Sequence, residues 1–210
     1  MNFSGKSLIP ALLLISCMTI PNKALADSGT DFSNSGGTLA GTTAGLTLSG
    51  STLTAVNGLN GGGVIAGDLG TVSFTTGALM TGGSLQMGGT FAAGGTFLID
   101  GNGTNGIPSG TLFSGTFSGP VSWTLATLAN GTHNYTLTGT LTGTMGGSSM
   151  SGVTVQLTIN TGKGYFNGTT TIAGGDTTVQ QSVPEPSTLA FFGTGIIGIA
   201  GALRRKALAA

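Results

Sequence analysis

Charge is scarce in this chain of 210 residues, with 6% of positions charged against about 25% in ordinary soluble domains. The few cations sit at the ends, Lys6 and Lys23 near the start and Arg204, Arg205 and Lys206 near the finish, with only Lys163 between them. A middle so poor in Lys and Arg cannot neutralise a run of phosphates, which excludes nucleic-acid binding through a basic surface. Cysteine is nearly absent as well. The single one, Cys17, leaves the body without a disulfide, a thiolate nucleophile or a cysteine metal ligand. Helical hydrophobic spacing is nowhere sustained in the middle of the chain. What is abundant is glycine, at 41 positions, together with threonine and serine, so stability has to come from packing and strand pairing.

The ends read as targeting segments. Lys6, an apolar run over residues 8–20 and Ala24-Leu25-Ala26 before Asp27 form the three parts of a secretory signal, with cleavage expected after Ala26. A second reading stays open, because Leu14-Ile15-Ser16-Cys17 resembles the lipobox of bacterial lipoproteins, in which the cysteine is lipidated.

At the far end Val183-Pro184-Glu185-Pro186 precedes an apolar stretch over residues 189–203 and the basic cluster Arg204, Arg205 and Lys206. The prolines hold the approach extended, Pro186 suits a first helical turn, and Glu185 would meet the positive end of the helix dipole. A helix of about 17 residues rises about 25 Å, just short of a hydrocarbon core of about 30 Å, so the basic side chains must snorkel. Positive charge stays inside, which places the P-E-P segment on the exported side. This tail resembles the PEP-CTERM sorting signal of Gram-negative bacteria, also known as an ice-binding-protein C-terminal domain. The resemblance implies an exosortase as processing partner, a membrane-embedded, cysteine-dependent enzyme. It also implies transient residence in the inner membrane, then a place at the cell surface among exopolysaccharide and biofilm.

Between the ends, short alternating runs recur between glycine, asparagine and serine breaks. Val153, Val155, Leu157 and Ile159 share one face of such a run, and Val121, Trp123 and Leu125 repeat the pattern. Phe113 and Phe117 do the same across Gly115, with shorter cases at Leu85 and Met87, Val72 and Phe74, and Leu46 and Leu48. About ten to twelve strands follow, with hairpin turns expected at Asp100-Gly101, Asn130-Gly131 and Asn167-Gly168. The expected fold is all-β, an antiparallel β-sandwich or jelly-roll, with a β-solenoid as the alternative, flanked by a signal helix and a transmembrane helix. The expected organisation is a signal peptide over 1–26, a linker over 27–40 and a β domain over 41–179. A second linker with the sorting motif follows over 180–188, then the membrane helix and basic cluster over 189–206.

Few residues suggest chemistry. His133, the only histidine, stands near a turn with no partner in sequence and reads as a solvated loop residue. Asp27, Asp31, Asp68, Asp100 and Asp176 are spread singly, and a hydrolase would need folding to bring two together in a cleft. Asp100 to Gly106 alternates oxygen-bearing residues, but Asn105 and Thr111 stand where a calcium loop has glycine and a bidentate glutamate. A tight turn is the expected use. Asn102, Asn130, Asn134 and Asn167 head N-x-S/T sequons. Thr136, Thr138, Thr140, Thr142 and Thr144 place five hydroxyls on one face of one strand, suited to solvating an outer surface or to meeting glycan or ice. The expectation is therefore a non-enzymatic envelope or matrix protein without metal or cofactor, the alternative a glycan- or ice-binding module.

Overall fold

The computed structural model describes residues 29–180. The expected signal peptide, sorting motif, membrane helix and basic cluster lie outside the described residues. Among the described residues there is no α-helix, only a 3-10 turn at Leu59–Gly61, and no helix long and apolar enough to cross a membrane.

Twelve strands form one antiparallel sheet: β1 Thr30–Ser35, β2 Thr38–Thr42, β3 Gly45–Asn57, β4 Ile65–Thr75, β5 Gly89–Phe91, β6 Gly94–Asn102, β7 Ser109–Phe117, β8 Val121–Thr127, β9 His133–Met145, β10 Ser148–Asn160, β11 Thr169–Thr171 and β12 Gly174–Val179. The ladders run β1-β12-β10-β9-β7-β6-β4-β3, and β3 pairs back onto β1, so eight strands close a ring. The remaining four prolong ring strands past a break. β2 continues β1 along β3 beyond Gly36 and Gly37, and β11 faces β2 in the register that β12 keeps with β1. Likewise β8 continues β7 along β9, and β5 continues β6 along β8.

The all-β antiparallel expectation holds for the described residues, but they form a closed barrel rather than a sandwich, jelly-roll or solenoid. The physical reason is the meeting of the first and last strands, Thr30 opposite Val179 and Asn34 opposite Gly175, which removes the free edges that two stacked sheets would keep. That pairing also occupies a segment that composition alone marked as linker, since residues 30–40 form β1 and part of β2. Of the expected turns, Asn130-Gly131 and Asn167-Gly168 fall between strands, whereas Asp100 and Gly101 lie inside β6. Two-residue turns instead join β2 to β3 at Thr43-Ala44 and β9 to β10 at Gly146-Gly147, the latter with φ of 57° and 80°, the positive values of the favoured hairpin turn. Leu85 and Met87 belong to no strand; they sit in the connection from β4 to β5.

Alternation decides which way each strand faces. Val153, Val155, Leu157 and Ile159 point inward and are buried, as are Val121, Trp123, Leu137 and Leu141. An eight-stranded barrel is just wide enough for side chains to fill, and here aromatic rings fill it. Phe74 stacks on Phe97 at 5.8 Å, with Phe117 edge-on to both, and Trp123 stacks on Tyr135 at 5.0 Å beside Phe166. Burial of each ring contributes about 2–3 kcal/mol. Space for Phe113 and Phe117 comes from missing side chains: a Cβ at Gly139 would strike the Phe117 ring, and one at Gly143 would strike the Phe113 ring and the Ser114 carbonyl.

Residues 76–88 cross the barrel end opposite the paired termini. Leu79 N–H donates to Thr43 O and Met80 N–H to Thr90 O, at 2.9 and 2.8 Å. Two buried rings hold the crossing segment from below, Trp123 Nε1 donating to Leu85 O at 2.9 Å and Tyr135 Oη to Gln86 O at 2.6 Å.

Candidate functional site

The outward face of β9 carries the threonine ladder. Thr138, Thr140, Thr142 and Thr144 are exposed and Thr136 is half-buried, while Leu137 and Leu141 between them face the core. Register extends each hydroxyl sideways. Thr136 lies between Thr124 and Thr158, Thr138 between Ser122 and Gln156, Thr142 between Thr116 and Ser151, and Thr144 between Ser114 and Ser149. Thr140 faces Thr154 and bonds Ser118, whose Oγ donates to Thr140 O at 3.2 Å. Neighbours stand about 4.8 Å apart across strands and about 6.8 Å apart along them. The result is a two-dimensional array of hydroxyls where an outer-membrane barrel would carry an apolar, lipid-facing band.

Two of these rows continue over β12 to β1. Gln156 faces Asp176, which faces Ser33, and Thr154 faces Thr178, which faces Asp31. Within this region an open groove of about 430 Å³ is lined by Pro120, Ser122, Thr138, Thr154, Gln156 and Asp176, among others. The aspartates sit diagonally across the seam that closes the barrel. Ser33 Oγ donates to Asp176 Oδ1 at 3.1 Å, and Thr178 Oγ1 donates to Asp31 Oδ1 at 2.9 Å. Partial burial pushes the Asp176 carboxyl above the usual carboxylate value, the charge of Asp31 adds to the rise, and the Ser33 hydroxyl opposes it. Folding thus brings together two aspartates that stand 145 positions apart. No local motif signalled that meeting, because it depends on ring closure.

The other sequence candidates have structural roles here. Asp100 Oδ1 accepts from Thr111 Oγ1 at 2.8 Å, away from Asp31 and Asp176 on the β6–β7 ladder. Asn102 Oδ1 accepts from Thr104 N–H at 3.0 Å and from its hydroxyl, while Asn102 Nδ2 donates to Asp68 O at 2.9 Å. These bonds build the turn expected beyond Asp100. His133 is buried, contrary to the solvated loop position expected of it. It opens β9, its Nδ1 lies 3.0 Å from Thr127 Oγ1, and its ring stacks on Tyr165 at 4.3 Å. The sequon residues Asn102, Asn130 and Asn167 are exposed, whereas the Asn134 side chain accepts from Asn160 Nδ2. Asp27 lies outside the described residues.

Comparison with known proteins bears on the tail. Residues 182–206 match the PEP-CTERM protein-sorting motif. The match takes in Val183, Pro184, Glu185, Pro186, Arg204, Arg205 and Lys206, and it marks an exported protein whose tail is a membrane-anchored signal processed by an exosortase. No curated protein and no solved structure matches the chain. The barrel therefore stands on its own geometry.

Proposed function

We propose that the barrel is the cargo of an exosortase-dependent sorting route and serves as a non-enzymatic component of the exopolysaccharide or biofilm layer. The observation that carries this reading is the sorting motif, which begins at residue 182, three positions beyond the last residue of β12. In this scheme residues 189–206 hold the protein in the inner membrane with the barrel on the periplasmic side, until processing passes it to the surface or the medium. A filled interior, a hydroxyl-covered exterior and few charges suit long residence in a hydrated polymer. The test is to delete Pro184, Glu185 and Pro186, or to replace Arg204 and Arg205 by Ala, then follow location by fractionation and size by intact mass. Unprocessed protein retained in the membrane is the expected result. Unchanged mass and unchanged location would overturn the sorting reading.

A second reading is favoured by the hydroxyl rows, namely a module that binds glycan or ice through the outer face of β9 and its neighbours. Saturable binding of the exported protein to a carbohydrate, or inhibition of ice recrystallisation, separates it from a purely structural role. Loss of the effect in Thr138→Val/Thr140→Val would place it on this face.

A further inference from the structure

The groove on the outer face is lined by the carboxylate of Asp176, with Asp31 beside it across the β12–β1 seam, and by no cation. Among the described residues the only Lys or Arg is Lys163, in the connection between β10 and β11, and it does not line the groove. Asp31 and Asp176 therefore stand diagonally across the seam with only the hydroxyls of Thr178 and Ser33 bonded to them. Like charges so placed repel, and water and hydroxyl groups relieve them less well than a cation does. Around them the lining is neutral and rich in donors and acceptors: Ser122, Thr138, Thr140, Thr154 and the Gln156 amide.

Resting on the glycan-binding reading above, we infer that this groove binds a hydroxylated polymer bearing ammonium groups, an incompletely acetylated amino sugar. The ammonium lies between Asp31 and Asp176, and the ring hydroxyls meet the rows on β8, β9 and β10. The chemistry of the lining selects this ligand over its alternatives. A uronate polymer would add negative charge to an uncompensated pair, and a neutral or fully acetylated glycan would leave that pair unrelieved. An ammonium supplies three donors to two carboxylates, in charge-assisted bonds stronger than those between neutral groups. Geometry agrees as well. Ser122, Thr138, Gln156 and Asp176 lie side by side on adjacent strands, spaced about 4.8 Å apart, comparable to the advance per sugar in an extended chain.

The experiment is calorimetric titration of the full-length protein in detergent with a glucosamine hexamer, its N-acetylated counterpart and an oligouronate of the same length. The hexamer is expected to bind more tightly than the other two and to weaken as salt rises. Asp176→Asn and Asp31→Asn should each weaken hexamer binding by about fivefold or more while leaving the acetylated oligomer unaffected. Circular dichroism of Asp176→Asn should show an intact fold. Equal hexamer affinity in wild type and Asp176→Asn, or an oligouronate that binds as tightly, would overturn the inference. If all three oligomers bind equally and only Thr138→Val weakens them, the broader glycan reading survives without the ammonium preference. No binding by any of them sinks the glycan reading as well, and neither outcome touches the sorting proposal.

Discussion

Along β9, Gly139 and Gly143 face the interior and are shut in by the rings of Phe117 and Phe113, whereas Thr138, Thr140, Thr142 and Thr144 face outward and are exposed. Neighbouring residues of one strand thus sit under opposite constraints. Inside, the quantity that matters is volume, because aromatic rings already fill the space that a side chain would take. Outside it is the hydroxyl group, because the side chain meets water or ligand and nothing packs against it. Glycine and threonine alternate here for unrelated reasons, and replacing each by the same residue separates them.

The largest effect is expected from Gly143→Val. Its Cβ would collide with the Ser114 carbonyl and the Phe113 ring, so denaturant unfolding should show a loss of about 3 kcal/mol or more, or no folded protein at all. Thr142→Val, one position away on the outer face, should change stability by no more than about 0.5 kcal/mol. Equal losses from the two would break the inside-outside distinction.

An intermediate effect is expected where a buried ring keeps a polar tip. Tyr135 Oη donates to Gln86 O and accepts from Phe166 N–H at 3.0 Å, tying residues 76–88 and the β10–β11 connection to the core. Tyr135→Phe removes both bonds and leaves a buried N–H and a carbonyl without that partner, which should cost about 1–3 kcal/mol. Hydrogen exchange should quicken first at Gln86 and Phe166. Uniform exchange across the barrel would mean that the tyrosine supports the whole fold rather than this end.

The smallest effect concerns the seam. The Asp176 carboxyl titrates above its ordinary value of 3.8 in the folded protein, so folding disfavours its ionised form. That destabilisation is present at neutral pH and is relieved as pH falls through the raised folded value. Relief is complete once pH lies below the value of the unfolded chain. The melting temperature of wild type should therefore gain relative to Asp176→Asn as pH is lowered from 7 into the carboxylate range. A difference between the two that stays constant with pH would refute the assignment to Asp176.

The alternation inside each strand was legible in the sequence. Val153, Val155, Leu157 and Ile159, and the threonines of β9, fell on the faces their spacing indicated, because side chains in a strand alternate whatever sheet the strand joins. Architecture was not legible to the same degree. Sandwich and barrel share strands, turns and patterning, and differ in whether the ends of the sheet meet. Residues 30–40 illustrate the difficulty: few large apolar side chains and a Gly-Gly pair resemble a linker, yet Phe32 and Leu39 are fully buried. His133 likewise read as a loop residue from its place beside Asn130-Gly131, but Thr127, its partner across the β8–β9 ladder, and Tyr165, from the β10–β11 connection, enclose it.

By itself the sequence determined the strand character of the middle, the two faces of each strand and the sorting motif at residues 182–206, since all three are written in local order and spacing. Only the tertiary structure decided that β1 meets β12, that the barrel is filled by aromatic rings in space vacated by glycine, and that Asp31 and Asp176 meet at one seam. Contacts across the whole length of a chain depend on register accumulated over every intervening hairpin, and no local pattern carries that sum.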